Sequence, residues 1–226
     1  MEVLKFLGSV KVIYFVSDLH GDRHFKGFEQ YLSMAKDDDL LIILGDVGLN
    51  FEKTKENKEF TEYFLSARKN IAFIDGNHEN FEYLNSLPEE EWNGGKVRRL
   101  TESIVMLKRG NVYTINGKTF FSFGGCKSSP IWKERGLWFY GEEPEKEELD
   151  LAYSNLEKNN YRIDYILTHK YEHPEEKTVV CVGLQELTKF IEENVTYQQW
   201  YSGHQHTEIR ADEKHYLVFD NLVELE

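Results

Sequence analysis

The sequence predicts an α/β chain built on a mostly parallel sheet, with a second sheet added further along. Three observations lead there. Apolar runs rich in β-branched and aromatic residues at 12–16, 40–44 and 71–74 alternate with two stretches of helical period. Such strand–helix–strand alternation dictates parallel pairing through right-handed crossovers. Shorter apolar runs at 104–107, 111–115 and 118–123 follow in close succession, with the tight-turn pair Asn116-Gly117 between the last two, which predicts an antiparallel meander in the second sheet. The closing third returns to strand followed by turn.

The first strand, Val12-Ile13-Tyr14-Phe15-Val16, is apolar on both alternating faces, as a strand between two layers must be. Residues 26–36 set Phe28, Tyr31, Leu32 and Ala35 on one side at helical spacing, and Asp37-Asp38-Asp39 breaks the pattern before the second strand. A second helix over 54–69 turns Phe60, Tyr63, Phe64 and Ala67 inward ahead of the third strand. Beyond the meander, Gly124-Gly125 ends the strand run. The stretch 127–143 has no period, holds Trp132, Arg135, Trp138, Phe139 and Tyr140, and reads as an ordered loop. Pro144 suits the first position of a helix reaching about residue 158, with Leu149, Ala152, Tyr153 and Leu156 inward. Strands at 161–167, 197–202 and 216–219 and a helix at 184–193 complete the chain.

At 226 residues the chain is long enough for one domain, 1–226, with a substantial core. A formal charge of -13 and a pI near 5.1 repel a phosphate backbone at long range. They exclude non-specific nucleic-acid binding but not a local positive site. Cys126 and Cys181 lie far apart with no second Cys near either, which predicts two buried free thiols and a reducing, cytoplasmic setting. The start is broken by Lys5, Gly8 and Lys11 and reads as a strand rather than a signal peptide. No apolar run approaches the length of a membrane span. Oligomeric state is left open.

Five strand ends carry polar donors: Asp18 with His20, Asp46, Asn77 with His78, His169, and His204 with His206. An ionised Asp and a His at the end of a buried strand are expensive unless something there uses them. Residues two apart on a strand share a side, so one ion can take an oxygen from Asp18 and a nitrogen from His20. In sheets of this kind ligands gather at the carboxyl ends of strands. Singly, each piece is also an ordinary turn. Oxygen and imidazole donors at the same end of five strands read instead as a metal site.

The ordered series Asp18-Leu19-His20, Gly45-Asp46, Gly76-Asn77-His78-Glu79, Thr168-His169 and Gly203-His204-Gln205-His206 resembles the signature of the calcineurin-like metallophosphoesterases, across residues 18–206. The resemblance implies two mixed β-sheets packed face to face and flanked by helices. It also implies a phosphoesterase that uses two divalent metal ions. Asp18, His20 and His206 would hold one ion, Asn77, His169 and His204 the other, and Asp46 would bridge them. The chemistry agrees: a bridge needs the two oxygens and negative charge of a carboxylate, whereas imidazoles and an amide oxygen donate neutral lone pairs. Mixed oxygen and nitrogen donors suit Mn2+, Fe2+/Fe3+ or Zn2+, with Mn2+ favoured. A water shared by two such ions is acidified and attacks phosphorus in line. His78 matches a histidine that is not a ligand and protonates the leaving oxygen. Glu79 reads as orienting a neighbour or capping.

In related protein serine/threonine phosphatases and dinucleoside polyphosphate hydrolases an Arg follows the second motif; here Gly45-Asp46-Val47-Gly48-Leu49-Asn50 has none. A small phosphate mono- or diester therefore ranks ahead of those substrates, with a nucleotide hydrolase and a catalytically silent binding module as alternatives. The partner expected is a small phosphate ester or nucleotide, and no membrane. In the aromatic loop, Lys127 and Arg135 read either as grips on phosphate or base, with Trp138 stacking, or as packing. Asp22 reads as a turn, His24 as a surface histidine, His173 as a loop residue, His215 as solvated, and Arg109-Gly110 as a hairpin turn.

Overall fold

The computed structural model describes residues 10–21, 23–175, 177 and 180–225. Among these the chain begins β1 (Ile13–Val16), α1 (Lys26–Met34), β2 (Leu40–Leu44), α2 (Lys55–Leu65), β3 (Asn70–Ile74) and α3 (Phe81–Ser86). It continues β4 (Glu89–Trp92), β5 (Gly95–Arg99), β6 (Ile104–Leu107), β7 (Asn111–Ile115), β8 (Lys118–Phe123), α4 (Pro130–Glu134) and α5 (Lys146–Lys158). It closes β9 (Tyr165–Thr168), α6 (Val182–Asn194), β10 (Gln199–Ser202), β11 (Ile209–Arg210), β12 (His215–Leu217) and β13 (Val223–Glu224). One sheet has the order β13-β1-β2-β3-β6-β5-β4 and the other β11-β12-β10-β9-β8-β7. Parallel pairs join β1, β2, β3 and β6 in the first sheet and β8, β9, β10 and β12 in the second. The outer pairs are antiparallel, so both sheets are mixed.

Strand alternation sorts the core into layers. Phe15, Ile42 and Ala72 of the first sheet meet Phe120, Leu167 and Tyr201 of the second in the core between the sheets. Their neighbours Tyr14, Ile43 and Phe73 point the other way, under Phe28 of α1 and Phe60 and Phe64 of α2. On the far side, Phe121, Ile166 and Trp200 pack under Ala152 and Leu156 of α5 and Leu184, Leu187 and Ile191 of α6. The result is two sheets face to face with helices on both outer faces. Side-chain caps fix helix starts: the Thr54 hydroxyl accepts from the Asn57 N–H, and the Asn80 side chain from the Tyr83 N–H. The helix read as opening at Pro144 starts at Lys146, because Glu145 and Glu148 close a capping box.

Three expectations are corrected. The run 104–107 does not open a meander: β6 pairs with β3 in parallel, Ile71 opposite Ile104 and Phe73 opposite Met106. All four of its residues are buried, which suits an inner strand of the first sheet. The chain then crosses to the second sheet through Lys108-Arg109-Gly110, and only β7 and β8 form the hairpin. A second hairpin, β4–β5, was not foreseen. Asn93 and Gly94, at φ 50 and 91, form its turn, and three exposed glutamates hide its alternation. Third, the aromatic stretch contains the short helix α4. Residues 1–9, where the opening strand was expected to start, and Asp22 lie outside the described residues. No helix among the described residues is long and apolar enough to cross a membrane.

Candidate metal centre

Loops at the carboxyl ends of β1, β2 and β3 meet those of β9 and β10 at one edge of the sandwich. Five donor-bearing residues there adopt the left-handed backbone region: Asp18 (φ 59), His20 (φ 48), Asp46 (φ 54), His204 (φ 69) and His206 (φ 47). Each such residue costs on the order of 1–3 kcal/mol and persists only when its surroundings over-determine it. Here the loops bind one another. The Asp18 N–H donates to Gly45 O (3.1 Å), His20 N–H to Asp46 O (2.8 Å) and Gly203 N–H to His169 O (2.8 Å). The His78 N–H donates to Asp46 Oδ1 (2.7 Å) and the His204 N–H to Asp18 Oδ2 (2.8 Å). Two glycines permit this closeness: a Cβ at Gly76 would lie 2.1 Å from Asp46 Oδ1, and one at Gly203 1.8 Å from Ser17 Oγ.

The side chains then converge. His20 Nε2 lies 2.9 Å from His206 Nε2, and His206 Nε2 lies 3.4 Å from Asp18 Oδ1. On the other side, His169 Nε2 is 3.3 Å from Asn77 Oδ1 and 3.2 Å from His204 Nδ1. Asp46 stands between the groups, with Oδ2 3.4 Å from His20 Nε2 and Oδ1 3.4 Å from His169 Nε2. The seven expected metal donors are thus brought to one place. Asp18, His20 and His206 form one cluster able to hold an ion, and Asp46, His169 and His204 another. His78 joins His20 and Asp46 in a third.

The donor set fits divalent cations. Asp18 Oδ1 is buried with no hydrogen-bond partner, a costly state for a carboxylate oxygen that an ion would relieve. His169 Nδ1 sits 2.8 Å from the Leu44 carbonyl, and an N–H donated there leaves Nε2 to offer its lone pair to the cluster. Burial lowers His20 to about 4 and His204 to about 3, so both rings are neutral donors at pH 7. Burial also disfavours charge on His169, but the Asp46 carboxylate outweighs it and raises the imidazole to about 10. His206 is raised by the Asp18 carboxylate, 3.4 Å away. Burial works against ionised Asp46, yet the surrounding imidazoles hold its carboxyl well below the usual range. A proton on His169 therefore stands where a cation would.

The family model for calcineurin-like phosphoesterases matches residues 11–208. The chain belongs to the calcineurin-like phosphoesterase family. No curated protein matches its sequence. Among solved structures, TT1561 of Thermus thermophilus superposes with a TM-score of 0.50 at 15% identity, covering 94% of this chain and 90% of that one. It shares the fold. AQ665 from Aquifex aeolicus, a protein of unknown function, gives a TM-score of 0.36 at 17% identity, covering 76% of this chain and 83% of that one.

In this calcineurin-like phosphoesterase the clustered donors face a cleft of about 380 Å³ whose walls sequence reading only partly located. Arg23, His24, Lys127, Ser128, Ser129 and Trp132 line it beside the donors. His24, expected on the open surface, is half-buried with its ring 5.6 Å from that of His206. Trp138, read either as stacking in the site or as packing, lies outside this cleft under Lys133 Nζ, 4.4 Å from its ring centre. Arg135 packs over Trp132 instead of lining the cleft. His78 is buried, and burial lowers its pKa; its ring sits 5.0 Å from Phe51 and 4.7 Å from Trp132.

Supporting residues behave as buried anchors. Glu79 accepts the Val47 N–H (2.8 Å) and Gly48 N–H (3.2 Å), which fixes the turn after Asp46. Burial, then the nearby Asp46 charge, pushes its carboxyl up to about 8. Arg109, read as a hairpin turn, is a buried cation at the crossing between sheets. It donates to Asp75 Oδ2 through Nε (2.8 Å) and Nη2, and to Glu148 Oε2 through Nη1 (3.0 Å). His215, read as solvated, is half-buried between Glu192 Oε1 (2.9 Å) and Asp212 Oδ2 (2.8 Å). His173 is an exposed loop residue whose Nδ1 accepts the Glu175 N–H (3.2 Å). Cys126 and Cys181 are both buried and free.

Proposed function

We propose that this calcineurin-like phosphoesterase is a dinuclear-metal-dependent hydrolase of small phosphate mono- or diesters. The supporting observation is the placement of Asp46, whose two oxygens each lie 3.4 Å from an imidazole of a different cluster. In this reading Asp18, His20 and His206 would hold one ion and Asn77, His169 and His204 the other, with Asp46 available to both. Two carboxylates against two divalent charges leave the centre net positive, so it attracts a phosphate anion even in a chain of net charge -13. When bound, two such ions supply Lewis acidity and lower the pKa of water toward neutrality. Mn2+ is the proposed occupant.

The chain's own residues supply the rest. The His78 N–H to Asp46 Oδ1 bond fixes the backbone of the adjacent acid, and the His78 ring faces the cleft. Its role is to give a ring proton to the leaving oxygen as the bond to phosphorus breaks. Water contributes the oxygen that phosphorus gains and the proton that restores the His78 ring, and the products are a phosphate and an alcohol. Arg23 and Lys127 stand at the rim, each beside a carboxylate, Glu52 at 2.8 Å and Glu143 at 3.7 Å. The buried free thiols suit a reducing, cytoplasmic setting.

The test is hydrolysis of p-nitrophenyl phosphate and its bis-ester by Mn-loaded protein, with Asp46→Asn alongside. At roughly 4 Å and an effective dielectric near 20, one unit charge against another is worth about 4 kcal/mol, and about twice that against a divalent ion. Asp46→Asn should then bind metal at least about a thousandfold more weakly and lose most activity. Normal turnover in the variant, or none in metal-replete wild type, overturns the proposal.

A further inference from the structure

We infer that Trp132 forms the wall against which the leaving group lies, and that the preferred substrates carry a flat aromatic ring there. The inference rests on the phosphoesterase reading of the metal centre and concerns the other half of the substrate.

Residues 129–141 form a flap in which no side chain is buried; Ile131 is 45% exposed. Hydrogen bonds clamp the base of the flap. The Ser128 N–H donates to Glu142 Oε1 (3.0 Å), Asn77 Nδ2 to Ser128 Oγ (3.0 Å), and Arg109 Nη2 to the Gly141 carbonyl (2.8 Å). The tip then reaches back over the cleft, where Trp132 meets His78 edge to face at 83°. Phe139 rests on Phe51 at 5.6 Å.

His78 thus has an aromatic neighbour on each side, but only one is offered to a ligand. Phe51 is 6% exposed and sits behind the imidazole, whereas Trp132 lines the cleft. A leaving oxygen served by His78 directs the group beyond it along the indole. His24, also on the cleft, lies beside the first cluster, its ring 6.1 Å from that of His20 and 5.6 Å from that of His206. An alkyl group gains little against an indole. An aryl ring or nucleobase gains a stacking contact worth about tenfold in affinity.

The probes are phenylphosphonate and methylphosphonate, which carry the same dianion and differ by the ring, with AMP as the nucleobase arm. Binding to Mn-loaded protein is measured calorimetrically, so no turnover is needed. Wild type should bind phenylphosphonate about tenfold more tightly than methylphosphonate. Trp132→Ala should abolish that preference and Trp132→Phe keep most of it, with Trp138→Ala as the control that retains it. If AMP gains alongside phenylphosphonate, the ring accommodated is a nucleobase; if phenylphosphonate alone gains, it is an aryl ester. A preference that survives Trp132→Ala, is lost in Trp138→Ala, or is absent from wild type overturns the inference. Ring preference without hydrolysis of any ester refutes the phosphoesterase reading alone, hydrolysis without ring preference refutes the Trp132 wall alone, and binding of neither phosphonate removes both.

Discussion

Replacing Arg109 with Met should destabilise the protein by about 3–5 kcal/mol, the cost of stranding one member of a buried ion pair. The structure sets this case near the top of the usual range. The side chains of Arg109 and Asp75 are 4% and 1% exposed, so water cannot replace the lost partner. Asp75 Oδ1 already lacks a hydrogen-bond partner, and the substitution strips Oδ2 as well. Carbonyls of Gly141 and Glu142 lose a donor at the same time. Protonation of Asp75 caps the loss, since burial already raises its pKa. The assay is urea unfolding followed by circular dichroism, with Asp75→Asn and the double variant completing a cycle. Removing the stranded charge in the double variant should recover about 2 kcal/mol. A loss below about 1 kcal/mol in Arg109→Met, or no recovery in the double variant, refutes the view that a desolvated charge pair anchors this edge of the site.

His78→Ala should retain two metal ions, measured by elemental analysis, while kcat falls about 10²–10⁴-fold for alkyl esters and far less for p-nitrophenyl esters, whose leaving group needs no proton. Loss of an ion would make His78 a ligand instead. At the far side of the second sheet, His215 gives a pH signature. Burial disfavours its charge, but Glu192 and Asp212 raise its pKa above the ordinary 6.5. A raised folded value means that the contribution is full below about pH 6.5 and fades as pH climbs through the folded value. The carboxylates, lowered by their surroundings, fail only in acid. His215→Asn should therefore cost about 1 kcal/mol near pH 6 and progressively less toward pH 9 in paired melts. A gap that does not change with pH would remove the ion triad from the account.

What was legible in the sequence was what strand physics writes locally. A run such as Leu40–Leu44, buried on both faces, has to be apolar throughout, and the donors that follow such runs stand out against it. What was illegible depended on distant partners. Ile104–Leu107 is equally apolar whether it joins one sheet or the other, and only pairing with β3 decides. Glu89–Trp92 shows three charges outward and one ring inward, so its alternation has a single buried member to display. Arg109 finds Asp75 34 positions away, a separation no turn rule spans. Trp132 and Trp138 belong to one aperiodic stretch. Which ring turns toward the metal centre follows from the clamp between Ser128 and Glu142, not from either residue's neighbours.

The strained backbone explains why the donors function as a set. Asp18 and His20 are tied to the Asp46 loop by backbone bonds, His78 to the Asp46 carboxylate, and His204 to the Asp18 carboxylate. Each donor-bearing loop is thus held by another donor-bearing loop rather than by the sheets alone. Four of the left-handed residues, Asp18, His20, Asp46 and His204, cannot relax one at a time, because each would break a bond that positions its neighbour. Close approach of glycine backbone at 76 and 203 removes the space into which the carboxylates could retreat. Two cations bound there would meet donors already in place, and the free energy of binding them would not be spent on gathering the loops.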